Sequence, residues 1–203
     1  MPMSSSTPSS TPSSSPSPTP KPSPQPWTVL ARRTLIADTW LRLHAERIRT
    51  GSGAEIEPWY VVEAADWVTM VPVLPDGRII LVEQYRHGLG RVCRELPAGN
   101  IDVGEDPLLA AVRELNEETG YRAASAPIHL GSLYPEPARS RVSATGFLIH
   151  CVAEQGQQAL DPAEDIAVVA VTPEELFGPT NGGLVHGCQI AFVHLARRFL
   201  TAG

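Results

Sequence analysis

Three glutamates, Glu114, Glu117 and Glu118, stand at i, i+3 and i+4 in the run Arg113-Glu114-Leu115-Asn116-Glu117-Glu118-Thr119-Gly120-Tyr121. On a helix this spacing gathers the three carboxylates on one face. The flanks specify such a helix. Asp106 is placed to cap it, Pro107 stands at its first position, and Gly120 falls where a left-handed C-terminal cap would sit. The carboxylates then crowd the last turn, where the dipole is negative, at a cost of a few tenths to about 1 kcal/mol each. A bound cation offsets that cost. An all-oxygen cluster suits Mg²⁺, or Mn²⁺, rather than zinc, and such an ion could bridge the carboxylates to an acidic ligand such as a phosphate compound and activate water.

The bulk properties agree with an acid-to-acid bridge of this kind. The chain has 203 residues and a net charge of -6, which argues against a nucleic-acid backbone or an anionic membrane surface as main partner. Cys93, Cys151 and Cys188 are widely spaced and form no CxxC pair, so neither a disulfide framework nor a zinc knuckle is expected. No apolar run reaches the ~20 residues of a membrane span, and the N-terminus lacks the pattern of a secretory signal. A reducing, cytoplasmic setting follows as the expectation.

Around the acidic helix the chain divides into three parts. Residues 1–26 are almost entirely Ser, Pro and Thr and are expected to form a disordered tail. Residues 27–63 alternate apolar and polar positions at 40–46, turn at 50–53 and begin a second strand at 59–62, giving a small antiparallel sheet. Residues 64–203 form the main domain. Strands are expected at 67–73 and 78–84, joined as a hairpin across Pro75-Asp76-Gly77, and at 92–96, 128–133, 144–153 and 165–171. Residues 85–90 read as a loop, and 189–200 as a closing amphipathic helix. The class is α+β or a mixed-sheet sandwich.

The stretch Gly99, five residues, Glu105, seven residues, then Arg113 to Tyr121 resembles the Nudix box, Gly-x5-Glu-x7-Arg-Glu-U-x-Glu-Glu-x-Gly-U with U a bulky apolar residue. The resemblance implies an α/β/α sandwich and a hydrolase whose metal is held by Glu114, Glu117, Glu118 and the carbonyl of Ala98. Arg113 would fix a glutamate's direction, and Glu105 would tie the loop to the helix. The runs Glu83-Gln84-Tyr85-Arg86 and Glu95-Leu96-Pro97-Ala98-Gly99, with Pro137 sixteen positions beyond the box, are similar to the ADP-ribose pyrophosphatase branch of that family.

That branch implies a homodimer that exchanges its N-terminal sheet, with a site lined by both copies. It also implies Arg86 on a phosphate, Glu95 on the base or ribose side, and a loop glutamate as general base, for which Glu164 is the candidate and Asp165 the fallback. The Pro137 loop carries Arg139 and Arg141 where many relatives place glycine and an aromatic or acidic residue, which suggests extra phosphate contact or a different terminal group on the substrate. The reaction expected is hydrolysis of a nucleoside diphosphate sugar, with ADP-ribose giving AMP and ribose 5-phosphate. The alternatives are a GDP-mannose or broad nucleotide-sugar hydrolase, and a non-catalytic module that senses ADP-ribose.

Overall fold

A computed structural model describes residues 23–200. Most of the Ser/Pro/Thr tail, residues 1–22, lies outside the described residues. Residues 23–27 have no regular secondary structure. The backbone of Gln25 packs so closely on the turn at Gly51 that a Cβ there would lie 2.6 Å from the Gln25 carbonyl oxygen.

The first sheet is antiparallel, in the order β1 (Thr28–Ala37), β2 (Arg42–Arg49), β3 (Glu55–Glu63). Three details differ from the sequence reading, the first being that β3 begins at Glu55, four residues before the expected start at Trp59. β1 was not anticipated, because arginines interrupt its apolar residues and nearly all of its side chains are exposed, leaving no alternation to read. β2 begins later than expected, since Trp40 and Leu41 sit in a bend where the Asp38 carboxylate accepts both of their amides, at 2.8 and 3.0 Å. Trp27 stacks edge-on against Trp59, with centroids 5.3 Å apart.

The second sheet is mixed. β4 (Trp67–Val73) and β5 (Ile79–Arg86) meet at the expected turn, but only Val73 and Ile79 pair across it. The hairpin splays, and the wedge is filled by β6 (Arg91–Glu95) on β5 and β7 (Ala98–Asn100) on β4. β5 therefore runs through Tyr85 and Arg86, which the sequence placed in a loop. With β8 (Ile128–Leu133), β9 (Ala144–His150) and β10 (Ile166–Val171), the main order is β10-β5-β4-β9-β8, and β4 runs parallel to β9.

Each face of this sheet is covered by a helix. Alternation along β4 sends Val68 and Met70 to one side, where α1 (Pro107–Thr119) buries Ala110, Ala111 and Leu115. It sends Val71 and Val73 to the other, where α3 (Gly187–Leu200) buries Phe192, Val193 and Ala196. Burying an aliphatic side chain of this size stabilises by about 1.5–3 kcal/mol. Gly146 on β9 admits Phe192, whose ring would lie 2.2 Å from a Cβ at that position. A short helix, α2 (Pro173–Leu176), was not anticipated and is closed by a capping box between Thr172 and Glu175. The result is the α+β, α/β/α sandwich with a preceding antiparallel sheet. Among the described residues no helix is long and apolar enough to cross a membrane.

The wedge is pinned at its point. The Pro97 carbonyl accepts from Met70 N and Thr69 Oγ1, both at 3.0 Å. The side-chain amide of Gln189, reaching from α3, accepts from Leu96 N at 2.9 Å and donates to Leu96 O at 3.1 Å. Gln189 is 1% exposed, so its amide takes the place of a ladder partner that the splayed strands cannot provide.

Candidate active site

The helix that carries the carboxylates is built as its sequence specifies. Asp106 accepts from Leu108 N at 2.8 Å, Pro107 opens the first turn, and Gly120 ends the helix at φ 72° with its N–H on Asn116 O. Gly99 is required by close approach, because a Cβ there would lie 2.0 Å from Cδ of Glu114.

Arg113 organises the entry loop and two of the glutamates. Its Nε and Nη2 each donate to the Glu105 carboxylate at 2.9 Å, Nη2 also reaches Asn100 O at 3.1 Å, and Nη1 donates to Glu114 at 2.7 Å and Glu117 at 3.0 Å. Glu105 also accepts from Asp102 N at 3.0 Å, and the Arg113 guanidinium holds its carboxyl down to about 2. Glu105 thus joins loop and helix.

Glu118 is 3% exposed and accepts from Ala98 N at 2.9 Å. Burial pushes its carboxyl up to about 8, against the pull of the Ala98 amide, and the charges of Glu114 and Glu164 push the same way. Burial raises the Glu114 carboxyl as well. Among the described residues no three His, Cys, Asp or Glu side chains are drawn to ligand spacing. Glu114 and Glu117 are instead held by Arg113, and Glu118 by Ala98.

A cleft of about 910 Å³ opens over this turn, and Arg86, Glu95, Glu114, Glu117, Glu118 and Glu164 all line it, with Ala98 and Arg113. Arg86 and Glu95, read from the sequence as separate substrate contacts, form one bidentate pair, Nε–Oε1 2.8 Å and Nη2–Oε2 2.5 Å. Glu95 is buried, while Arg86 keeps much of its guanidinium open to the cleft. Of the two candidate bases, Glu164 lines the cleft and Asp165 does not. The Glu164 carboxylate accepts from Asp161 N at 2.9 Å.

Pro137 and Arg139 are not brought into this cleft. Their loop finishes the small sheet instead, with Val62 N donating to Arg139 O at 2.8 Å and Ser140 bridging to Val62. Three residues stand out among those of the cleft wall that sequence reasoning missed. Trp67 and His186 pack edge-to-face at 5.1 Å, and burial lowers the His186 imidazole from its ordinary value, keeping it neutral near pH 7. Nothing local marked His186, which precedes α3. The third is Gln189, and its signal was present: it lies on the same helical face as Phe192, Val193 and Ala196, a polar residue at a core position.

Residues 64–189 match the NUDIX domain family. Among similar proteins, an ADP-ribose pyrophosphatase of Mycobacterium tuberculosis is 36% identical over 177 residues, covering 86% of this chain and 84% of its own length. An ADP-ribose pyrophosphatase of Bacillus subtilis is 28% identical over 165 residues, covering 80% and 88%. A solved structure described as an ADP compounds hydrolase superposes with a TM-score of 0.74 at 21% identity, over 89% of this chain and 97% of that one, a likeness of fold. The acidic helix, its loop and the sandwich that carries them are those of one family: the chain belongs to the NUDIX family, as a hydrolase of its ADP-ribose pyrophosphatase-like branch.

Proposed function

We propose that this protein hydrolyses the diphosphate of a nucleoside diphosphate sugar, with ADP-ribose as substrate and AMP and ribose 5-phosphate as products. The observation that carries the reading is the crowding of Glu114, Glu118 and Glu164 in one cleft, where burial and like charge raise the carboxyls of Glu114 and Glu118. Such an oxygen-only set is unfavourable until positive charge enters, and it fits a hard divalent cation. Family members generally use divalent metal ions. Here Glu114, Glu117, Glu118 and the Ala98 carbonyl would hold Mg²⁺, or Mn²⁺. When bound, the ion supplies charge neutralisation at the diphosphate and a more acidic water.

The protein's own groups divide the remaining work. Glu164 accepts the proton of the attacking water as its oxygen bonds to phosphorus and the bridging P–O bond breaks. Arg86, oriented by both oxygens of Glu95, offsets the charge that develops on the phosphate oxygens. Arg113 keeps Glu114 and Glu117 aimed at the cleft.

The reading extends to assembly. Val29, Leu35 and Ile36 are exposed on β1, and Trp27 and Trp40 are exposed just outside its two ends, which supports a homodimer formed through residues 27–63. In that dimer the site is lined by both copies, and Pro137 and Arg139 belong to its shared wall. Free Cys93, Cys151 and Cys188 fit a cytoplasmic setting.

Purified protein with Mg²⁺ is expected to release AMP from ADP-ribose faster than it cleaves GDP-mannose in a common panel. Preference for GDP-mannose would move the substrate assignment, and binding without turnover under both Mg²⁺ and Mn²⁺ would replace the enzyme with a sensing module.

A further inference from the structure

The last turn of an α-helix leaves carbonyls with no partner inside the helix. At the end of α1 four of them, in sequence, are taken by one segment of chain. Glu117 O accepts from Ala159 N at 2.9 Å, Glu118 O from Gln158 Nε2 at 2.6 Å, Thr119 O from Gln155 Nε2 at 2.9 Å, and Gly120 O from Gly156 N at 2.8 Å. The fit is close, because a Cβ on Gly120 would lie 2.3 Å from Gly156 O. The segment that leads to Glu164 is therefore seated on the backbone of the turn that bears Glu117 and Glu118.

One side chain in this seat does more than cap. Gln158 Nε2 donates a second bond, at 3.1 Å, to the carbonyl of Ile166, the first residue of β10. The amide of Gln158 thus draws the two ends of loop 158–166 together and fastens both to Glu118. Glu164 lies inside that closed loop, near its far end, and lines the cleft. A glutamate on an open loop of this length samples many positions, and closing the loop removes that freedom in advance. Within the loop the Asp161–Glu164 turn is fixed by its own bonds, Glu164 N to Asp161 O and Asp161 N to the Glu164 carboxylate, both at 2.9 Å. The turn sets the shape of the tip, and Gln158 sets where the tip stands.

We propose that Gln158 is a positioning residue for hydrolysis, holding Glu164 at a fixed distance from the carboxylates of Glu114 and Glu118 through its paired bonds to Glu118 O and Ile166 O. The inference rests on the reading of Glu164 as general base. Gln158 touches no substrate in this scheme, and its effect falls on turnover instead of binding.

The test uses the full chain with Mg²⁺ and ADP-ribose. Gln158→Met keeps the length of the side chain and removes both donors. We expect kcat to fall by about 10- to 100-fold, as displacement of a reacting group by about 1 Å does, with KM changed by less than about two-fold. Gln158→Lys, which restores donors, is expected to recover part of the loss. Gln155→Met loses a cap on Thr119 O without opening the loop and should keep kcat within about three-fold. In a Glu164→Gln background, Gln158→Met should cost nothing further, because the group it positions is already gone. Hydrogen exchange supplies the second readout: in Gln158→Met the Ala159 and Glu164 amides should lose protection.

An equal loss of kcat with and without Glu164 would overturn the inference, since Gln158 would then act on the fold at large. Unchanged kcat in Gln158→Met, or unchanged exchange at Ala159 and Glu164, would overturn it too. If the unmodified protein cleaves no nucleoside diphosphate sugar, the functional reading fails at that arm, while exchange in Gln158→Met still decides whether the amide closes the loop.

Discussion

Replacing Glu118 by glutamine should stabilise the metal-free protein at alkaline pH, although it removes a proposed ligand. Burial holds the Glu118 carboxyl near 8, against 4.5 for the ordinary group. Between those values the folded chain keeps a proton that the unfolded chain has released, so stability falls as pH rises through this window and is lowest above 8. The gap from 4.5 to about 8, at about 1.4 kcal/mol per pH unit, caps the penalty at about 5 kcal/mol. Glu118 lines an open cleft, whose water offsets part of this penalty, so about 2–3 kcal/mol is the expected share. Glutamine carries no charge and keeps an acceptor for Ala98 N. Thermal melts with a chelator should therefore place Glu118→Gln about 5–10 °C above the unmodified protein near pH 9, and close to it near pH 4.5. Adding Mg²⁺ should raise the melting temperature of the unmodified protein and raise that of Glu118→Gln less. A variant no more stable than its parent at pH 9 in chelator, or an advantage that fails to shrink on acidification, would refute the reasoning.

Gly99→Ala should abolish most turnover, because its Cβ would need the space of the Glu114 carboxylate, 2.0 Å away; kcat should drop at least about 100-fold while circular dichroism stays native. Gln189→Leu strands the N–H and C=O of Leu96 in the core, a loss of about 2–4 kcal/mol measured by urea unfolding, and turnover should fall with it. Arg86→Lys keeps the charge and gives up the two-pronged pair with Glu95, so kcat/KM should fall by about 10-fold or more in steady-state assays.

The acidic helix was legible because its rules are local. Cap, first-turn proline, terminal glycine and the i, i+3, i+4 carboxylates all sit within one stretch of chain, and the structure builds that stretch as read. The core strands were legible through runs of Val, Ile and Leu. What escaped depends on which strands and helices come to lie side by side. The pairing of Arg86 with Glu95 needs β5 and β6 side by side, and the bonds of Gln189 to Leu96 span 93 positions. β1 escaped for a different reason: an edge strand exposed on nearly every side has no buried face to print a period of two. The hairpin turn was correct, but the splaying after it follows from what fills the wedge, which no turn residue encodes.

The wedge between β4 and β5 also has a consequence in time. During synthesis α1 and the strands beneath it emerge long before α3, so the acidic turn can form while Leu96 still lacks the amide that pins it. Until Gln189 arrives, the junction of β6 and β7 is held from the β4 side alone, through the Pro97 carbonyl, and both backbone groups of Leu96 lack their partner. A nascent chain is thus an acidic helix without a finished cleft, and hydrolytic competence is among the last properties it acquires.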